Sequence, residues 1–151
     1  MSENKELEFK KLKICILTIS SSRELSDDKS GDTLEERVLS FGHKLFERKI
    51  TKDNKDSIKE IIINWSKNKE IDVIITSGGT GLTETDVTPE ALEEIFEKTI
   101  PGFSVIFHNI SFNKIKTSTI QSRATAGILM ETFIFALPGS PSAVKDGWDE
   151  I

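Results

Sequence analysis

The segment Ile71–Glu90, IDVIITSGGTGLTETDVTPE, decides how this chain reads. Asp72 to Thr76 is a short β-branched run, the pattern of a strand buried on both faces. Where that strand should end, Ser77-Gly78-Gly79-Thr80-Gly81 gives up nearly all side-chain bulk. Glycine accepts positive φ and carries no Cβ, so successive backbone N–H groups can point into one concavity. The hydroxyls of Ser77, Thr80 and Thr83 add neutral donors. Thr88 as N-cap and Pro89 at N1 predict a helix that carries Leu92, Ile95 and Phe96 and turns its positive dipole end toward the loop. Strand, anion-accepting turn and helix together form one unit of an α/β fold.

The same grammar recurs on either side. Leu12–Ile19 is a nearly continuous apolar run ending in Ser20-Ser21-Ser22, and Thr132–Leu137 is another, ending in Pro138-Gly139-Ser140-Pro141. A helix is expected after Asp32 or Thr33 as N-cap, with Leu34, Val38 and Phe41 on one face and Gly42 as its stop. Lys44–Ile50 alternates weakly and predicts an edge strand. Ile58, Ile61, Ile62 and Trp65 form a helical stripe at i, i+3, i+4, i+7. Pro101-Gly102 is expected to break the helix opened at Thr88, after which Phe103, Ile106, Phe107 and Ile110 restart a stripe. A terminal helix follows Pro141. Apolar strands alternating with amphipathic helices predict a three-layer α/β/α domain on a mainly parallel sheet. In such a sheet ligands collect at the carboxyl ends of the strands, where the three small-residue turns would lie together. The plainer alternative is that each is only a tight turn.

Size and composition set the limits. The chain has 151 residues with 20 basic and 25 acidic side chains, a net charge of −5. That suits one domain and argues against nucleic acid as a partner. The single cysteine, Cys15, forms no internal disulfide or CxxC knuckle, and with only His43 and His108 a zinc site is not expected. Residues 1–12 read as a charged tail and 13–151 as the domain. No secretory pattern and no membrane-length apolar run is visible, so the expected location is cytoplasmic.

Known phosphate loops do not fit. A P-loop needs Gly-Lys, which is absent, and Gly79-Thr80-Gly81 lacks the third glycine of a dinucleotide fingerprint. Asp86 lies five residues beyond the loop. A carboxylate beside a phosphate cradle repels its ligand unless a cation intervenes, and Mg²⁺ suits that role because it takes one or two carboxylates plus phosphates; otherwise Asp86 merely complements a helix dipole. His43 is expected to be exposed, and His108 to face solvent or another subunit. Ser122-Arg123 could grip a phosphate or a pterin edge, or Arg123 could pair with an acid.

Six stretches then occur in a recognisable order: SSR at 21–23, SGD at 30–32, TSGGTGLTETDVTPEAL at 76–92, IPGF at 100–103, TSTIQSRATAG at 117–127 and FALPGSPSAV at 135–144. On these the chain resembles the MogA/MoaB family of molybdenum-cofactor biosynthesis proteins from Lys13 onward, with wording closer to the MoaB branch. The resemblance implies a molybdopterin-binding fold assembled as a homotrimer or homohexamer, and transfer of AMP from Mg-ATP to the terminal phosphate of molybdopterin. Carried over by motif, Gly78–Gly81 and Ser77 would cradle nucleotide phosphates, and Pro138, Gly139, Ser140 and Pro141 would line the adenine side. Ser20, Ser21, Ser22, Ser122 and Arg123 would face the pterin side, with Ser30, Gly31 and Asp32 in the same binding set. Asp86 would hold Mg²⁺, and Asp53 would supply a second catalytic carboxylate. The pattern departs from the family at Thr85, Val105 and His108, and at Lys52-Asp53, where the second aspartate has moved one position or become lysine. The alternative it leaves open is a molybdopterin-binding protein without turnover.

Overall fold

The apolar runs behave as strands buried from both sides. In the computed structural model, which describes residues 7–151, every residue of the first strand after Lys13 is buried. In chain order the elements are β1 (Lys13–Ile19), α1 (Lys29–Ser40), β2 (Lys44–Thr51), α2 (Lys55–Lys67), β3 (Val73–Ser77) and α3 (Thr88–Glu93). They continue with β4 (Lys98–Thr99), α4 (Pro101–Ile115), β5 (Thr125–Leu129), β6 (Thr132–Leu137) and α5 (Pro141–Glu150). Residues 7–12 of the expected tail carry no helix or strand; its first six residues lie outside the described ones.

The sheet has six strands in the order β2-β1-β3-β6-β5-β4. β1, β2, β3 and β6 run parallel, while β5 is antiparallel to β6 and β4 to β5. Strand side chains alternate between faces, so the run in β1 feeds two cores. Cys15 and Leu17 meet Ile58, Ile62 and Trp65 of α2 and Leu92 of α3. Ile14 and Ile16 meet Leu34 and Val38 of α1, Phe103 and Phe107 of α4, and Val144 of α5. Each such fully buried aliphatic side chain stabilises the fold by roughly 1.5–3 kcal/mol. Helices cover both faces, giving the expected three-layer α/β/α arrangement. β2 is an edge strand, as its weak alternation predicts.

Several boundaries differ from expectation for local reasons. α1 begins at Lys29 because Asp28, not Asp32 or Thr33, is its N-cap and accepts from Gly31 N at 3.0 Å. It stops at Gly42 as expected, with His43 N donating to Val38 O at 3.0 Å and Gly42 N to Leu39 O at 3.0 Å. α3 is a short helix that ends before Ile95 and Phe96, and Pro101 opens α4 instead of breaking a longer helix. β5 pairs with β6 through a two-residue turn at Met130-Glu131, both at positive φ (48° and 70°).

Candidate functional site

Register brings the turns together. Thr18 of β1 pairs with Ser77 of β3, and Ser77 pairs with Leu137 of β6, so three parallel strands end at one level. β1 lies between β2 and β3, so the chain reverses its winding direction beside it, and a crevice opens at such a switch. β5 runs the other way and starts opposite Ala136, so Ser122-Arg123 enters the sheet from the same edge.

The glycine turn is held from both sides. Gly78 has φ +101°, and a Cβ there would lie 2.2 Å from Ile19 O. Gly79 has φ +69°, and its Cβ would lie 2.2 Å from Thr88 Oγ1. No other residue fits either position without displacing backbone or the Thr88 clamp. Thr88 therefore does not cap α3. It is buried, its hydroxyl donates to Gly78 O at 2.9 Å and its N–H to Gly79 O at 3.0 Å, and Val87 occupies the N-cap position. On the other side Arg123 N donates to Thr80 O, Nε to Gly81 O and Nη2 to Asp86 O, all at 2.9 Å. Nη1 pairs with Glu90, whose carboxyl is thereby held below the usual carboxylate range. The guanidinium expected to grip a ligand is spent bracing the loop.

Asp86 is half-buried and tied to its own turn. Its Oδ2 accepts from Thr83 Oγ1 at 2.6 Å and from Thr83 N at 3.0 Å. The Thr83 hydroxyl lowers its pKa most; burial opposes this, and further backbone donors and Arg123 keep the net shift downward. Asp86 is thus an anion at neutral pH.

These parts enclose one cavity of about 410 Å³. Ser20, Ser22 and Arg23 line it from the end of β1, Gly78–Gly81 from β3, and Pro138 and Gly139 from β6. Asp53, beyond β2, and Asp86 both reach its wall, as does Ser122. Ser21 faces an adjoining cleft of about 490 Å³ that shares Ser20 and Arg23 with the cavity and includes Lys52. Its Oγ donates to Asp53 Oδ2 at 2.8 Å and accepts from Asp53 N at 3.2 Å, fixing that carboxylate at the junction.

Other expected site residues stand one step back. Ser77 is fully buried with an unpartnered hydroxyl. Ser140 caps α5 by accepting from Ala143 N at 3.2 Å, and Pro141 opens that helix; neither lines the cavity. Ser30, Gly31 and Asp32 form the first turn of α1. Ser30 Oγ donates to Gly139 O at 2.6 Å, supporting the cavity wall from behind. Asp32 pairs instead with Arg48 at 2.8 Å, which also meets Glu35 and the buried Asp28. Of the histidines, His43 is half-buried, not exposed: Nδ1 accepts from Leu12 N at 3.1 Å and the ring stacks 5.1 Å from Phe9. His108 sits 3.0 Å from Thr119 Oγ1 with its pKa lowered by burial, outside the cavity.

Sequence reasoning missed three polar lining residues, Arg23, Ser118 and Gln121. The first was signalled by the SSR tripeptide and the others by TSTIQ, a 3₁₀ turn over Lys116–Gln121. As for a metal, no cluster of three or more His, Cys, Asp and Glu among the described residues forms a cage. The pair of cavity-wall carboxylates, one pinned through a single oxygen and held ionised, fits Mg²⁺, which completes its shell with substrate phosphates.

A mainly parallel sheet whose winding-reversal edge gathers a glycine turn, hydroxyls and two carboxylates defines an α/β/α domain with a polar crevice at that edge. Residues 15–151 match the family described as "Probable molybdopterin binding domain". The chain is 41% identical over 144 residues to molybdenum cofactor biosynthesis protein B of Escherichia coli K12, covering 95% of this chain and 85% of that protein. It is 39% identical over 144 residues to a probable molybdopterin adenylyltransferase of Methanocaldococcus jannaschii, covering 91% and 85%. Among solved structures, the tungsten cofactor synthesizing protein MoaB of Pyrococcus furiosus superposes with a TM-score of 0.84 at 32% identity, covering 95% of this chain and 92% of that one. The chain belongs to the MoaB/MogA family of molybdenum-cofactor biosynthesis proteins.

Proposed function

We propose that this protein is a molybdopterin adenylyltransferase of molybdenum- or tungsten-cofactor biosynthesis. It moves AMP from Mg-ATP to the terminal phosphate of molybdopterin and releases pyrophosphate. The observation that carries this reading is the convergence of the turns after β1, β3 and β6 on one cavity whose walls include Asp53 and Asp86. The name of the M. jannaschii relative points to the same chemistry.

The attacking phosphate is ionised near neutral pH, so no strong general base is needed, and the residues act by alignment and charge stabilisation. Gly78 N donates to Leu137 O at 3.0 Å, so the main-chain N–H groups of Gly79–Gly81 hold nucleotide phosphates, while Pro138 and Gly139 border the adenine. Ser20, Ser22 and Ser122 face the pterin. Asp86 would hold Mg²⁺ with Asp53 nearby; the ion, when bound, neutralises charge on the triphosphate. Arg123 serves by fixing Gly81 and Asp86 in place. The test is Mg²⁺-dependent pyrophosphate release from ATP that requires molybdopterin and is largely lost in Asp86→Ala. Normal turnover of that variant would contradict the metal role.

One observation favours a second reading, a molybdopterin-binding protein without turnover. Asp53 follows an exposed Lys52 and its carboxylate is engaged by Ser21. Tight molybdopterin binding by calorimetry, with no adenylylation under excess Mg-ATP, would select it.

For assembly, we read α4 as a subunit-contact helix of a homotrimer or homohexamer. Phe103 and Phe107 are buried, but Val105 is 68% and Ile106 50% exposed, and Phe112, Ile115 and Ile120 are exposed nearby. Gel filtration with light scattering on Ile106→Asp against the unmodified protein tests this, and a monomeric unmodified protein would contradict it. Among the described residues no helix is long and apolar enough to cross a membrane; with this biosynthetic role, the proposed location is the cytoplasm.

A further inference from the structure

The chain has four arginines, and three are committed to carboxylates. Arg37 pairs with Asp149, Arg48 with Asp28, Asp32 and Glu35, and Arg123 with Glu90. Arg23 alone has no acidic partner among the described residues. Its side chain makes one hydrogen bond, from Nη1 to Gly139 O at 3.1 Å. That carbonyl also accepts from Ser30 Oγ at 2.6 Å, so it stays satisfied if the guanidinium leaves. Detachment is therefore cheap, because no buried acceptor is orphaned.

Position sharpens the point. Arg23 lines both the main cavity and the adjoining cleft, and among the described residues it is the only cationic side chain on the wall of the first. It stands between the serines after β1 and the Pro138-Gly139 turn after β6, where the two substrate sides meet. Both carboxylates on that wall, Asp53 and Asp86, carry the opposite sign. A half-buried planar guanidinium with no acidic partner among the described residues can meet two oxygens of one phosphate in a two-pronged way that an ammonium does not.

We propose that Arg23 is a catalytic residue that leaves Gly139 O to grip the phosphoryl group in transfer. This rests on the adenylyltransferase reading. In the step, an ionised oxygen of the molybdopterin phosphate forms a bond to the α-phosphorus of ATP. The bond from that phosphorus to the bridging oxygen breaks, and its electron pair departs on pyrophosphate; no proton need move. Negative charge grows on the oxygens around the α-phosphorus during the step, and Arg23 meets it there.

The experiment compares unmodified protein, R23Q, R23K and R23A in molybdopterin adenylylation with Mg-ATP, with thermal melts to verify folding. R23Q is expected to lower kcat on the order of 10²–10³-fold with both KM values within about threefold, the signature of an interaction made in the transition state. R23K keeps a point charge without the fork and is expected to lower kcat by about tenfold or more. Added guanidinium is expected to restore part of the R23A rate. If R23Q melts early, R23K and R23A rescue decide by the same criteria. Transfer by the unmodified protein with kcat kept in these variants, or a loss confined to KM, overturns this inference alone. No transfer by the unmodified protein overturns the functional reading and this inference together.

Discussion

The polar cavity at the carboxyl edge of the sheet holds about 410 Å³, and an apolar one between the sheet and α5 holds about 290 Å³. Their walls are built from opposite materials. Leu12, Ile14, Phe41, Phe103 and Trp148 close the apolar cavity with side chains drawn from four places in the chain. In the polar cavity the wall combines polar side chains with main chain left open where side chains are missing at Gly78, Gly79, Gly81 and Gly139. Side-chain walls serve stability through buried area. Main-chain walls leave N–H groups free for a ligand while the loop is fixed by neighbours such as Thr88 and Arg123. Changes in the two regions should therefore separate stability from ligand handling.

The largest expected effect is on catalysis. Asp86→Asn keeps the shape and the Thr83 contact but removes the charge, and should lower Mg²⁺-dependent adenylylation by about 10²-fold or more with little change in melting. A melting loss with activity intact would reverse the contrast. Phe103→Ala in the apolar wall should do the opposite, costing about 3–5 kcal/mol by urea unfolding while KM for ATP in the folded fraction stays unchanged. Gly78→Ala tests the boundary between them. Its Cβ would meet Ile19 O at 2.2 Å, so it should cost about 1–3 kcal/mol and weaken nucleotide binding as well. A variant that binds ATP normally would show that the turn is only a turn.

The smallest effect concerns pH. Asp86 is held below the usual carboxylate range, chiefly by the Thr83 hydroxyl. A depressed folded value means its stabilising contribution is complete above the unfolded pKa of about 3.9 and is lost as pH falls through the lower folded one. Carbon-detected NMR should give an Asp86 midpoint below about 3.9, and Thr83→Val should raise it. A midpoint at or above that value would contradict the pinned-carboxylate geometry.

Much of this was legible in the sequence where periodicity and turn chemistry agree. β1, β3 and β6, the stripe of α2 and the glycine turn all follow from apolar runs and small residues. The hairpin of β5 and β6 was not legible, because Met130 and Glu131 occupy positive-φ positions usually given to Asn and Gly. Without β5, nothing indicated that Ser122-Arg123 enters the sheet from the ligand edge. The N-terminus of α1 was expected at Asp32 or Thr33, past its actual cap at Asp28. Asp28 wins because Thr18 donates to it at 2.6 Å and Arg48 at 3.1 Å, contacts from distant strands that no local rule contains. Long-range partners likewise explain why Arg123 became a brace, through Thr80, Gly81, Asp86 and Glu90.

The most direct test is an amide NMR titration of the protein with a non-hydrolysable ATP analogue and Mg²⁺. The account predicts that the largest shifts fall together on Gly78–Gly81, on Ser20–Arg23 and on Gly139, three separate strand ends responding to one ligand. Shifts confined to a single turn, or gathered instead around Phe41 and Trp148, would contradict it.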